Sequence, residues 1–470
     1  MPGYYVENFG CRATQADGSA LERQFEERGV ERASSAAQAS VVVLNTCTVT
    51  AAADQDARAA IRRVRRQNPE ASIVVTGCYA QRAPEELAAI PGVSLVVGNS
   101  HKHKLAEIAV PRALPGGFVS LEALKGGEMP VFVSDIFAHT ELLAAPVFDA
   151  ANERTRPNLK IQDGCDNRCS FCVIPYVRGQ SRSLEMGRIV AEVETLVQAG
   201  YREVVISGIN LGRWGKDLDS RLRTSDLTTS ELGASDLSGD TSSERTPSLA
   251  ALIRTILAET ALEKLRISSV EPMDWSDELI GLVARSARIA KHAHVPMQSG
   301  SDAVLRRMHR KYRPWHYREK IEKIRAAMRD AAIGADVMVG FPGETDAEFE
   351  ETRRMVEELP FTYLHVFTYS ARPGTPAAEM RGQVPVQIAR ERNRVLREMA
   401  AEKKLAFMRG FVGIALQAIT LNVVGRDAGG EFTEALTDNY LKMRVRGRWD
   451  ANRWMSARVD EVVDGVMVGN

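Results

Sequence analysis

Residues 162–172 read QDGCDNRCSFC and bring three cysteines close together, at Cys165, Cys169 and Cys172. A short apolar segment at residues 159–161, a candidate strand, leads into them. A [4Fe–4S] cluster needs four corner ligands, so three cysteines leave one iron open to a ligand from outside the protein. Closed zinc sites use four ligands, usually in paired C-x2-C halves. The spacing therefore favours an iron–sulfur site with one open iron.

The other three cysteines, Cys11, Cys47 and Cys78, are far apart in the sequence. Each follows a candidate strand, at residues 6–10, 40–45 and 71–76. Because the carboxyl ends of parallel strands meet at one sheet edge, we expect these three thiols to converge into a second set of three. The alternative is that they are unrelated and two of them are simply buried.

Helical patterns at residues 20–27 and 54–67 lie between these strands, which predicts a parallel α/β domain at the N-terminus. A second alternating series follows and predicts a partial (β/α)6 barrel with the cysteine loop at its carboxyl face. The candidate strands of this barrel are residues 159–161, 203–207, 264–268, 292–296, 335–339 and 363–368. Its candidate helices are residues 188–199, 249–258, 277–286, 317–330 and 346–358.

The C-terminal region begins with a charged amphipathic helix pattern at residues 386–409 and then changes to short alternating β segments. The expected fold class is thus α/β with a small C-terminal β-barrel. Four basic residues alternate within one of these segments: Lys442, Arg444, Arg446 and Arg448. Because alternate residues of one strand share a face, they would form a basic stripe along one side of the strand. Such a stripe is suited to binding nucleic-acid phosphates, although a solvated edge strand explains it too.

Composition limits the partners. The 470 residues are 44% hydrophobic, and 61 basic residues balance 61 acidic ones. The chain as a whole therefore has no strong net charge that would select an oppositely charged partner. The N-terminal residues do not have the pattern of a signal peptide, and we find no apolar stretch long enough to span a bilayer. We therefore expect a cytoplasmic protein with reduced thiols and without membrane or DNA partners.

The cysteine loop, with Phe171 before its last cysteine, resembles the radical S-adenosylmethionine (SAM) signature. The whole chain resembles the radical-SAM methylthiotransferase family, which has three N-terminal cysteines, a radical-SAM barrel and a terminal TRAM domain. The segments that carry this resemblance are NTCTVT at 45–50, TGCYAQ at 76–81, IPYVRG at 174–179, VPMQSGS at 295–301 and VGFPGET at 339–345.

The resemblance implies a division of the chain into five parts. They are an N-terminal methylthiotransferase domain (1–112), a linker (113–152), a radical-SAM core (153–385), a connecting helix (386–405) and a TRAM β-barrel (406–470). Residues 216–247, rich in Ser, Thr, Asp and Gly, are expected to form a disordered insertion in the core.

The resemblance also implies two [4Fe–4S] clusters and SAM as cofactors. Cys165, Cys169 and Cys172 would hold the cluster that cleaves SAM to a 5′-deoxyadenosyl radical. Cys11, Cys47 and Cys78 would hold an auxiliary cluster carrying the sulfur, which a second SAM methylates. Protein acid–base residues are not expected to carry the reaction, because the C–H bond that is replaced has no useful acidity. An electron donor such as flavodoxin or ferredoxin is implied.

Residues expected to contact SAM follow from the family positions of the strand ends. Gly208 and Asn210 are expected near the amino end of SAM, and Glu271 near its ribose, although a helix-starting Glu before Pro272 is an alternative. Gln298 is expected near SAM or substrate, Arg178 near the SAM carboxylate or substrate phosphates, and Phe341 against adenine.

The family has three substrate branches: tRNA isopentenyladenosine, tRNA threonylcarbamoyladenosine, and an aspartate of a ribosomal protein. Segments 45–50 and 76–81 resemble the threonylcarbamoyladenosine branch most, whereas residues 12–15 after Cys11 depart from its usual Lys-Val-Asn. The expected substrate is N6-threonylcarbamoyladenosine at tRNA position 37. Two other classes remain open: a radical-SAM enzyme whose second cluster only transfers electrons, and a non-catalytic RNA-binding protein with structural zinc.

Overall fold

The computed structural model describes residues 3–110, 130–139, 155–218 and 247–470. Most of the expected linker and of the expected insertion lies outside these ranges. The chain divides into two compact units. One combines residues 1–147 with residues 163–180 and 370–378, and the other comprises residues 148–162, 181–369 and 379–470.

The first unit is built on a six-stranded sheet in the order β2-β1-β3-β4-β5-β6, and all its strand pairs are parallel. Its central strands are Val-rich and almost wholly buried, as expected for a parallel sheet covered on both faces. The strands are β1 (Gly3–Asn8), β2 (Glu31–Arg32), β3 (Val41–Thr46), β4 (Ser72–Gly77), β5 (Val93–Gly98) and β6 (Val131–Phe132). The helices are α1 (Arg12–Glu26), α2 (Ala51–Gln67), α3 (Cys78–Arg82), α4 (Pro84–Ala88), α5 (Leu105–Ala109) and α6 (Ile174–Arg178).

The second unit contains a partial barrel in two sheets, β8-β7-β9-β10 and β11-β12-β13. Two isolated parallel bridges, Leu265–Ile289 and Ser269–His294, connect the sheets beside β10 and β11. Its strands are β7 (Asn158–Asp163), β8 (Arg182–Ser183), β9 (Glu203–Gly208), β10 (Lys264–Ile267), β11 (His292–His294), β12 (Ala332–Val339) and β13 (Tyr363–Thr368). Its helices are α7 (Met186–Gln198), α8 (Leu249–Glu259), α9 (Asp277–Arg285), α10 (Asp302–Arg307), α11 (Pro314–Ala327) and α12 (Asp346–Glu358).

A long helix, α13 (Val386–Arg409), leads to a closed five-stranded barrel in the order β14-β15-β16-β18-β17. These strands are β14 (Ala415–Asp427), β15 (Gly430–Thr437), β16 (Lys442–Arg446), β17 (Trp454–Val463) and β18 (Val466–Gly469). Met443, Val445 and Ala457 belong to the buried core of this barrel. Among the described helices, none is both long and apolar enough to cross a membrane.

The expected fold class is confirmed: a parallel sheet, a partial barrel and a closed β-barrel follow one another along the chain in the predicted order. The six predicted barrel strands correspond to β7 and β9–β13. Several elements differ from the prediction. Helix α1 begins at Arg12 rather than near residue 20, and strand β5, the short strands β2, β6 and β8 and the short helices α3–α6 and α10 were not predicted. Alternation along β16 exposes its even-numbered residues, but Gly447 turns the chain with φ +89°, so Arg448 lies beyond the strand.

A buried ion pair joins two neighbouring barrel strands. Arg266 on β10 and Glu203 on β9 are 1% and 0% exposed, and Nε of Arg266 lies 2.6 Å from Oε1 of Glu203. The same guanidinium donates to the carbonyls of Thr437 and Asp438 at the end of β15. Arg266 therefore also fixes the C-terminal barrel against the partial barrel.

Replacing Arg266 with Ala is expected to lower the free energy of unfolding of this unit by about 3 kcal/mol, because the buried Glu203 is left with only the more distant Arg156, at 3.7 Å, to balance its charge. Urea titration measures the change. Arg202→Ala is the matched control, because its pair with Glu263 is 35% and 45% exposed and contributes less than about 1 kcal/mol. Equal losses in the two variants would contradict this account of the pair.

Candidate functional site

The three N-terminal cysteines lie at one edge of the first sheet. Cys11 immediately precedes α1, Cys47 follows β3, and Cys78 opens α3 directly after β4. Strands β1, β3 and β4 are parallel neighbours, with Asn8 paired to Asn45 and Asn45 paired to Thr76. The thiols therefore emerge from neighbouring strand ends, because the register brings those ends level.

These thiols differ in environment. Cys47 and Cys78 are buried, whereas Cys11 is exposed. Burial, followed by the charges of Cys78 and Cys11, raises the pKa of Cys47 to about 12. Cys47 is therefore a thiol near neutral pH in the metal-free protein, and iron would have to displace its proton.

Two glycines make room for this set. A Cβ on Gly10 would lie 2.5 Å from the Cβ and 2.8 Å from the Sγ of Cys47. Gly77 has φ +100°, and a Cβ there would lie 2.3 Å from the carbonyl oxygen of Thr46. A glycine directly precedes both Cys11 and Cys78, and this Gly-Cys pair is the feature of the sequence that indicates the close packing.

The second set lies on the loop after β7, which belongs to the same unit as the first set. Cys165, Cys169 and Cys172 are all partly exposed. The Cys165 amide donates to the Gly179 carbonyl at 3.0 Å, and the Cys172 amide donates to the Cys169 carbonyl at 3.1 Å. The first bond ties Cys165 to the end of α6, and the second closes a tight turn between Cys169 and Cys172.

Arg178 lies buried between two carboxylates. Its side chain is 2% exposed, Nη1 donates to both oxygens of Asp163 at 2.9 and 3.0 Å, and Nη2 donates to Asp17 at 2.9 Å. Burial alone disfavours its charge, but Asp163 and Asp17 outweigh this and raise the pKa of Arg178 well above its ordinary value. The guanidinium is enclosed and already paired, and its expected contact with the SAM carboxylate or substrate phosphates stays a prediction.

The hydrogen-bond network around Asp17 extends to Lys102, and Asn99 contacts Cys78 of the N-terminal set. Lys102 donates to Asp17 at 3.0 Å and to the side-chain oxygen of Asn45 at 3.1 Å. Asn99 donates to Cys78 Sγ at 3.6 Å and to the Val177 carbonyl at 2.7 Å. Sequence reasoning missed Asp17, Lys102 and Asn99, because the pattern of α1 and β5 does not show that these polar side chains are turned inward.

The residues present fit two iron–sulfur clusters. Three of the six cysteines follow neighbouring strand ends of the first sheet, and the other three lie on the single loop after β7. Thiolates are the usual ligands of [4Fe–4S] clusters, and each set leaves one iron corner without a protein ligand. The positive charge of Arg178 interacts with Cys78 and Cys11. It therefore favours binding of an anionic cluster at the first set.

The carboxyl ends of the barrel strands carry most of the expected SAM contacts. Gly208 ends β9, and the Asn210 amide donates to Gln162 Oε1 at 2.6 Å. Gln298 adopts a left-handed conformation with φ +62°. Its amide donates to the Asp336 carbonyl, and its own carbonyl accepts from Met338, both at 2.8 Å. Such a conformation costs about 1–2 kcal/mol for a residue with a Cβ, and strain of this kind clusters at functional sites.

Two other expected contacts have different surroundings. Glu271 begins a short 3-10 helix with Pro272 as its first residue and forms an ion pair with Arg310, and its side chain is 25% exposed. Phe341 is fully buried and its ring contacts Tyr369 edge-on at 5.5 Å. The expected packing of Phe341 on adenine stays a prediction.

The basic stripe on β16 is partly neutralised. Arg446 and Arg444 both approach Asp427, at 2.6 and 3.7 Å, and Lys442 lies 3.9 Å from Glu434. Lys442, Arg444 and Arg446 share one face of the strand, as predicted, whereas Arg448 does not continue it.

Gly77→Ala is expected to destabilise the first unit by about 3 kcal/mol and to reduce its iron content, because the left-handed backbone and the contact with Thr46 both oppose a Cβ. Gly29→Ala is the matched control, since Gly29 has φ +73° but no neighbour within 4 Å. It is expected to cost only the conformational part, about 1–2 kcal/mol. Urea titration and iron analysis after anaerobic reconstitution measure both variants, and equal behaviour would contradict the close-packing explanation.

The comparisons with known proteins agree with this architecture. Residues 3–98 match the model described as uncharacterized protein family UPF0004, and residues 159–356 match the radical SAM superfamily. A solved structure of the radical SAM methyltransferase TsrM from Kitasatospora setae has a TM-score of 0.53 and 15% identity. The match covers 80% of this chain and 77% of the TsrM chain, and it supports only the fold.

Several curated proteins are similar over nearly the whole chain. The threonylcarbamoyladenosine tRNA methylthiotransferases MtaB of Aquifex aeolicus and Bacillus subtilis are 35% and 36% identical over 94% of this chain, which covers 96% and 90% of their lengths. The tRNA-2-methylthio-N(6)-dimethylallyladenosine synthase of Erythrobacter litoralis is 33% identical over 87% of this chain and 84% of its own. The chain therefore belongs to the radical SAM methylthiotransferase family, whose members include MtaB and the dimethylallyladenosine synthases.

Proposed function

We propose that this protein converts the C2–H of N6-threonylcarbamoyladenosine at tRNA position 37 into C2–SCH3. The observation that carries this proposal is the pair of three-cysteine sets within one compact unit. A second set that only transferred electrons would have no need for an open iron, and structural zinc would take a fourth protein ligand.

When bound, the two clusters and SAM supply the radical that removes hydrogen from the base, the sulfur, and the methyl group. The chain holds and orients these groups. Cys165, Cys169 and Cys172 hold the cluster that binds SAM, while Cys11, Cys47 and Cys78 hold the auxiliary cluster. Arg178 stabilises negative charge at the auxiliary set through its buried, permanently protonated guanidinium.

Strand-end residues of the barrel complete the SAM site in this proposal. Gly208 permits close approach of the backbone, Asn210 and Gln298 offer side-chain amides, and the partly exposed Glu271 carboxylate accepts from the ribose hydroxyls. An electron donor such as flavodoxin or ferredoxin supplies the electron that radical formation needs.

The tRNA contact is proposed for the C-terminal barrel. Lys442, Arg444 and Arg446 present their charges on one face of β16, where phosphates would replace the partial pairing with Asp427 and Glu434. Arg448 lies outside the strand and is proposed only as a flanking contact.

Two considerations favour threonylcarbamoyladenosine as the substrate. Segments 45–50 and 76–81 resemble that branch, and the MtaB proteins of Aquifex aeolicus and Bacillus subtilis match 94% of this chain. The dimethylallyladenosine synthases match nearly as well, which makes tRNA isopentenyladenosine the second candidate.

Nucleoside mass spectrometry of tRNA from cells lacking this activity, with and without the gene, tests the proposal. A methylthio increment is expected on threonylcarbamoyladenosine and should vanish in the Cys11→Ala and Cys165→Ala variants, because each removes a ligand of one cluster. Arg202→Ala, which alters only an exposed ion pair in the barrel, is the control and should retain the product.

An increment on isopentenyladenosine instead would correct the substrate and keep the reaction. A soluble, iron-loaded protein that changes no tRNA nucleoside would overturn the tRNA proposal. The aspartate of a ribosomal protein would then be the next substrate to examine.

A further inference from the structure

Three potential metal ligands project from neighbouring strands of the partial barrel, in the second unit. His294 ends β11, Asp336 lies within β12, and His365 lies within β13. In the parallel register His294 pairs with Gly334, and Asp336 pairs with His365. Gly334 and Asp336 are two residues apart, so all three side chains lie on the same face of the sheet.

The donor atoms are close enough to share one ion. One ligand atom from each residue lies within 4.8 Å of the other two. Nε2 of His294 is 3.3 Å from Oδ1 of Asp336, and the rings of His294 and His365 are 5.6 Å apart between centroids. Tetrahedral zinc with bonds of about 2.0–2.1 Å separates neighbouring ligands by about 3.3 Å, so the closest pair already has the required spacing.

The ring of His294 is held from one side. Tyr363 lies flat over Gly334, where a Cβ would come within 2.0 Å of the tyrosine ring. Its ring is nearly parallel to that of His294, at 17° and 6.0 Å, and its hydroxyl is 2.7 Å from Nε2 of His292. Gly334 therefore makes room for the aromatic ring that lies beside His294.

Charge and access also suit a cation. Asp336 brings a negative charge, and neutral imidazoles bring lone pairs, so a divalent ion uses all three donors at once. The side chains of His294 and Asp336 are 12% and 27% exposed, whereas His365 is exposed and offers an entry path. An anionic ligand would instead meet the carboxylate of Asp336.

We propose that His294, Asp336 and His365 bind a divalent transition-metal ion, Zn²⁺ or Fe²⁺, through two imidazoles and one carboxylate. Such a set leaves coordination positions open for water or another ligand. The proposal does not rest on the proposed reaction, because its donors are nitrogen and oxygen atoms rather than the six thiols.

Zn²⁺ binding to the cluster-loaded protein tests the proposal, with zinc titrated under anaerobic conditions against a competing fluorescent chelator. The wild type is expected to bind one equivalent more than His365→Ala. Asp336→Asn is expected to weaken binding by roughly 100-fold, because losing a ligand costs at least as much as losing its supporting contacts. His316→Ala removes a histidine from α11, outside the site, and should bind zinc like the wild type.

X-ray absorption at the zinc edge and iron analysis identify where the ion binds. Nitrogen and oxygen neighbours with unchanged iron content support the proposal. Sulfur neighbours, or loss of iron as zinc binds, would place zinc at the cysteines and overturn it. Equal zinc uptake by the wild type and His365→Ala would also overturn it, leaving His294 and Asp336 as a simple ion pair.

Discussion

The first unit depends on the charge of one buried arginine. Arg178 is enclosed with Asp163, beside the second cysteine loop, and with Asp17, on the helix that follows Cys11. A single guanidinium thus connects the segments that carry both sets of thiols. Removing its charge would leave the buried Asp163 carboxylate without this cation, whereas Asp17 would keep Lys102, and the cost of an uncompensated buried charge is several kcal/mol. Arg178, which was expected among the SAM contacts, is therefore also structural for both sets.

Parallel-strand geometry explains how distant cysteines come together. Cys11, Cys47 and Cys78 each follow a strand, and the register of β1, β3 and β4 aligns the ends of these strands. Glycines at positions 10 and 77 then remove the side chains that would separate the backbones. The arrangement supplies three thiols, one fewer than the four corner ligands of a [4Fe–4S] cluster, and the proposed sulfur transfer requires that open corner.

The sequence predicts most of the elements because their apolar periods are clear. The six barrel strands, α12 and α13 agree with the predictions, and the convergence of the cysteines follows from their positions after strands. The features that the sequence could not predict depend on contacts between residues that are distant in the chain. The pairing of Asp17 with Lys102 and Arg178, and the burial of Phe341, appear only when helices pack on the sheet. The left-handed Gln298 is equally hidden, because a glutamine carries no sign of that conformation.

The central claim is that two clusters are held independently by three cysteines each. Iron analysis with Mössbauer spectroscopy of the anaerobically reconstituted protein tests it most directly. The account predicts about eight irons per chain in the wild type and about four in either Cys47→Ala or Cys169→Ala. It also predicts almost none when both residues are replaced. Loss of all iron on replacing one cysteine, or a wild type with about four irons, would contradict the claim.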